Sequence, residues 1–240
     1  MNQASVYSNK STLEEREENL YYIRWVYILL AVTLIVALVW SSFCLYWWSQ
    51  LGSPIVAWWY FGVVAAALVV ILILIAALLA AVRLPPVNWI VYILFTLAFA
   101  HLAAFLDCLE NQRLLYFGLW VLTAIGVAFA IYSFCANSYI HSIEAFMLSF
   151  GSSSLVLVAF IALSDIAFFL LILVYLPASI FGFYLAYNLR VTVRHHLFDS
   201  HQEDPISGAV RIWMESFLVF CRVGELFGQS LTKQKCANCP

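Results

Sequence analysis

From residue 25 to residue 82 the chain carries no charged residue and no histidine, a run of 58 residues bounded by Arg24 and Arg83. One bilayer crossing takes roughly 20 to 25 apolar residues as a helix, so the run is too long for one span and long enough for two. The stretch SQLGSP at 49–54 interrupts it with turn-forming residues, predicting a first helix at about 24–48 and a second at about 55–82. Composition extends the reading to the whole chain: 65% of its 240 residues are hydrophobic and only 10% are charged, which excludes a water-soluble domain and describes an integral membrane protein. A net charge of -2 leaves nothing basic enough for nucleic acid.

The remaining spans follow from the same punctuation. Pro85 and Pro86 precede a third at about 87–106, the charged turn DCLENQR (107–113) precedes a fourth at about 114–134, and CANSYIHSIE precedes a fifth at about 145–163. Ser164 and Asp165 separate the fifth from a sixth at about 166–188, which contains Pro177 and is expected to kink there. Tyr21, Tyr22, Trp25 and Tyr27 suit one interfacial belt, and Tyr46, Trp47, Trp48, Trp58, Trp59 and Tyr60 the other. Residues 1–20 are polar and acidic and lack the apolar core of a cleavable signal, so the first span is expected to serve as the targeting signal. Lys10, Arg16 and Arg24, the Arg83 loop and the 190–204 loop with Arg190 and Arg194 share one side, against Arg113 alone on the other. The positive-inside rule puts the amino terminus in the cytosol, which leaves the Asn9 glycosylation pattern unused.

The last long segment, PISGAVRIWMESFLVFCRVGELFGQ (205–229), is apolar but carries Arg211, Glu215, Arg222 and Glu225. At about 100° per residue these fall within a stripe roughly 80° wide on one helix face. Each charge near the bilayer centre costs ~2.5 to 3.5 kcal/mol on an insertion scale, so that face cannot look at lipid. The segment is expected inside a bundle, against a wet cavity, or only part-way into the bilayer. Arg211 and Glu215 are four apart and Arg222 and Glu225 three apart, so each acid can pair on its own helix. Either these pairs merely neutralise one another, or Glu215 belongs to a cation path or gate near the cytosolic side.

Other chemistry is sparse. His101, inside the third span, reads as a helix–helix hydrogen bond with a neutral imidazole rather than a proton relay. GSSS at 151–154 reads as a close-packing patch. Cys44 and Cys108 fall near the same, non-cytosolic face, where either a disulfide or two free thiols is compatible with their positions; Cys236 and Cys239 form a lone C-x-x-C without a second ligand pair. His195, His196 and His201 lie near Asp199, Glu203 and Asp204 without the spacing of a zinc site, and a solvated loop is the better account. No enzyme signature is present, so the chain is not expected to be an enzyme or to need a cofactor.

The opening IRWVYILLAVTL is similar to the I-R-K-V-Y-x-I-L start of the Bax inhibitor and lifeguard family, and PPVNWIVYILFTLAFAHL is similar to that family's third span. Tyr187-Asn188-Leu189 and Met214-Glu215-Ser216 stand where members carry F-D-T-Q and L-D-I, 27 positions apart, with Gly208-Ala209 where members also have Gly-Ala. From about Tyr21 to Gly228 the chain thus resembles this seven-span family. The resemblance implies a calcium-permeable leak in an intracellular membrane, gated on the cytosolic side by two aspartates. This sequence departs from the pattern at the gate, where the first acid is Asn188 and the second is Glu215, one turn from Arg211. Two close carboxylates push one pKa up and form a pH switch, whereas one carboxylate beside a guanidinium tends to stay ionised. The divergence points to a viral member, similar to the seven-span paralogues of cytomegaloviruses.

The expectation is an all-helical integral membrane protein: an acidic cytosolic tail (1–20), a seven-helix membrane domain (21–229) whose seventh, polar-striped helix is central or re-entrant, and a tail at 230–240. Its expected function is a calcium-permeable leak of the endoplasmic reticulum or Golgi that lowers calcium stores and restrains apoptosis. Asn188, Glu215, Arg211, Arg222 and Glu225 would form the ion path or gate, with His101 as a polar core residue and the lipid bilayer and calcium ions as partners. The alternative is a non-conducting adaptor that alters the trafficking or signalling of other membrane proteins.

Overall fold

A computed structural model describes residues 3–51, 62, 86–109, 112–136, 140–196, 204–206, 208–213 and 215, and among them every regular element is helical. Among the described residues five helices are long and apolar enough to cross a membrane. They are α1 (Gln3–Leu51), α2 (Val87–Leu109), α3 (Gln112–Cys135), α4 (Ser142–Leu163) and α5 (Phe168–His196). The second span expected at 55–82, residue 62 apart, and the tail at 230–240 lie outside the described residues.

Two helices outrun the sequence expectation. α1 is 49 residues long and starts at Gln3 rather than near Arg24. No glycine or proline occurs between Gln3 and Leu51, and LEEREENL is made mostly of good helix formers, so nothing stops the helix at the membrane boundary. Its apolar part is Leu20–Tyr46. α5 continues through the first half of the expected 190–204 loop to His196. Pro177 lies within α5, where its missing N–H leaves the carbonyl one turn earlier without its usual donor.

Contacts between the helices give their relative directions. Leu29, Thr33 and Trp40 of α1 meet Tyr92, Thr96 and His101 of α2 in the same order, so α1 and α2 are parallel. Arg24 reaches Ser133 while Ser42 reaches Tyr116, so α1 and α3 are antiparallel. α4 packs antiparallel to α5, with Ser142 at Arg190, Ser149 at Ser179 and Ser154 at Tyr175. One end of the bundle thereby gathers Arg24, Ala136, Ser142 and Arg190.

The core of the bundle includes Val26 and Leu34 of α1, Tyr92 and Phe95 of α2, and Phe117, Val121 and Ile125 of α3, with Phe117 meeting Phe160 of α4 at 4.9 Å. Tyr27, assigned to an interfacial belt from the sequence, is instead buried against Phe129 at a ring separation of 5.4 Å. Its neighbours Tyr21 and Trp25 are exposed, as a belt requires. Leu155, Val158, Leu163, Phe169 and Leu173 on α4 and α5 are exposed too, apolar surface that suits acyl chains rather than water.

Because lipid is as apolar as leucine, polar contacts and close packing must hold the helices together. The Thr33 hydroxyl bridges Leu29 O, Tyr92 Oη at 3.2 Å and Thr96 Oγ1 at 3.4 Å. Between α4 and α5, Ser149 Oγ donates to Ser179 O at 2.6 Å and Ser179 Oγ lies 2.8 Å from Ser153 Oγ. Of the GSSS patch, Ser153 makes the buried contact, whereas Gly151 has open space around it. Gly182 lets α5 approach closely: a Cβ there would stand 2.7 Å from Ile125 Cγ2 and 2.8 Å from Ser149 Oγ. Cys44 is a buried free thiol.

Candidate functional site

The start of the last segment is fixed by an Asp-Pro pair. Pro suits the first helical position because its missing N–H is not needed there, and Gly208 N donates to Asp204 O at 3.1 Å to close the first turn. The Asp204 carboxylate accepts a hydrogen bond from Asn88 Nδ2 of α2, while Asn88 Oδ1 accepts the Trp89 N–H at 2.7 Å. Gly208 sits against the Tyr22 ring and hydroxyl of α1, leaving no room for a Cβ. Ile206, Ala209, Val210, Ile212 and Trp213 are buried, and Trp213 meets Phe99 of α2 at 4.9 Å. The apolar side of this segment is therefore seated on α1 and α2.

Its polar side faces α5. Asn188 Nδ2 donates to Glu215 Oε2 at 2.9 Å, across 27 positions of sequence, and Arg211 Nε donates to Glu215 Oε1 at 2.9 Å one turn away on the same segment. The side chains of Arg211 and Glu215 are 48% and 32% exposed, so this is a partly wet ion pair at the edge of the bundle. Each carboxylate oxygen thus has a donor: a neutral amide on one side and a guanidinium on the other. Charge-assisted hydrogen bonds of this kind contribute about 1.5 to 3 kcal/mol when shielded, and toward zero to 1 kcal/mol when exposed. Protonation of Glu215 would leave an acid able to accept still from the Asn188 amide, so that contact does not depend on a shared proton.

Three of the residues singled out in the sequence, Asn188, Arg211 and Glu215, are thus brought together. Arg222 and Glu225 lie outside the described residues. His101 stands apart, toward the opposite end of α2, where its Nδ1 accepts from Trp40 Nε1 at 3.2 Å. That acceptor role requires an unprotonated Nδ1, the neutral helix–helix contact expected of it.

Sequence reasoning missed the Asn88–Asp204 bond. Asp204 was grouped with the loop histidines, although the order Asp-Pro ahead of an apolar stretch is itself a helix-start signal. Nothing in the sequence alone links it to an asparagine 116 positions earlier. No family model, curated protein or solved structure matches the chain.

Proposed function

We propose that the chain is a Bax-inhibitor-like seven-helix membrane protein of an intracellular membrane, and that it forms a calcium-permeable leak with Glu215 as the cation-attracting group. The observation that carries this reading is the contact set Asn188–Glu215–Arg211. An ionisable side chain held at the junction of the last segment and a span, still partly open to water, is the kind of group that ion pathways use. Seven helices are supported by the parallel pairing of α1 and α2, since the chain must return across the bilayer between them. A cytosolic amino terminus is supported by the arginines Arg24 and Arg190 at one end of the bundle.

Calcium efflux from liposomes containing the purified protein, at pH 6 and pH 8, tests the proposal. The expected result is flux above that of empty liposomes, a severalfold fall in Glu215→Gln, and a rate nearly indifferent to pH. Folded protein without flux would sink the leak.

A non-conducting adaptor is the second reading, favoured by the occupation of both Glu215 oxygens. It expects that removing residues 1–20 or 231–240 abolishes function while any flux is unchanged.

A further inference from the structure

Arg190 lies in the last two turns of α5, and its Nη1 donates to Ser142 Oγ at the start of α4 at 3.1 Å. Among the described residues it forms no ion pair with a carboxylate. The nearby acid at the start of α4, Glu144, accepts the His141 backbone N–H at 2.8 Å and the Tyr132 hydroxyl instead. Arg24, at the same end of the bundle, donates to carbonyls: its Nε to Ser133 O at 2.8 Å and its Nη2 to Ala136 O at 3.3 Å. Among the described residues, two guanidinium charges therefore stand at this end of the bundle without a carboxylate bonded to either. One turn deeper along the α4–α5 seam the chemistry changes. Phe146 and Phe183 meet edge to face at 6.3 Å, and Ile143, Phe146, Met147 and Tyr187 are exposed.

We infer that this seam binds an anionic phospholipid, its phosphate against Arg190 and the Ser142 hydroxyl and its acyl chain along Ile143, Phe146 and Tyr187. A guanidinium presents several N–H donors in a planar fork suited to phosphate, and only one contact of Arg190 is used within the chain. An unbalanced charge beside exposed apolar side chains at a bilayer boundary matches a molecule that has both parts. A free anion would satisfy Arg190 but leave the apolar strip unused, so the lipid is the occupant. Because Glu144 already fills the start of α4, the recognition comes from side chains of two helices.

Native mass spectrometry of the full chain, released from micelles with equimolar phosphatidylserine and phosphatidylcholine, tests this. Wild type is expected to retain phosphatidylserine preferentially. Arg190→Gln should reduce that preference about fivefold, the contribution of one basic residue near an anionic surface. Arg190→Lys keeps the charge but loses the fork and should fall between the two. Thermal unfolding of each variant shows whether the bundle is intact; Tyr187→Ala supplies a second arm at acyl depth. Equal retention of both lipids by wild type, a preference unchanged in folded Arg190→Gln, or displacement by millimolar inorganic phosphate alone would overturn the inference.

Discussion

An amide in place of a carboxylate at position 188 changes what a proton can do beside Glu215. With Asn188 as donor the contact to Glu215 survives either charge state of the acid, whereas two carboxylates at 2.9 Å would have to share a proton or separate. Asn188→Asp should therefore create pH dependence where wild type has little. Lower pH favours a shared proton that keeps the contact and higher pH favours two charges that repel, so efflux in the liposome assay should differ by about threefold or more between pH 6 and pH 8. A flat profile for this variant would show that position 188 does not control the path. Gly208 is also closely constrained, because the Tyr22 hydroxyl occupies the place of a side chain. Gly208→Val should lower stability by about 1 to 3 kcal/mol in detergent unfolding, and Tyr22→Phe in the same chain should not fully relieve it, since the ring itself is in the way.

At the level of helices, the α4–α5 seam relies on shape more than on hydrogen bonds. Membrane hydrogen bonds average roughly 0.6 kcal/mol, so Ser179→Ala should cost little although it removes the contact to Ser153. Gly182→Val, which drives a side chain into Ile125 and Ser149, should cost about 1 to 3 kcal/mol in the same unfolding measurement. If the order of these two were reversed, the serines would be the principal fastening. The spans themselves were legible because hydropathy and turn residues report directly on what enters lipid: four of the five described helices begin within three residues of expectation. The long amino-terminal extension of α1 was not, since a polar helix former gives no hydropathy signal. The contact of Asn188 with Glu215 follows the separation that the sequence resemblance picked out. The bond of Asn88 to Asp204 needs the assembled bundle to be seen, because neither residue type at that distance carries a pattern.

For the molecule as a whole, the grouping of Arg24, Arg190 and the start of the last segment at one end gives orientation a direct test. An epitope tag at residue 1 should be digested by protease added to sealed microsomes, while a tag protected until detergent is added would reverse the proposed orientation. The parallel pairing of α1 with α2 has a further consequence, for biogenesis. A parallel pair cannot zip up as a hairpin while it emerges from the ribosome, so α1 must wait in the bilayer until α2 has been made. The hydroxyl of Thr33, whose interhelical partners Tyr92 and Thr96 are synthesised some 60 residues later, cannot make those two bonds during that interval and keeps its contact to Leu29 O. The yield of folded protein then depends on how long α1 stands without α2 as well as on the contacts of the finished bundle.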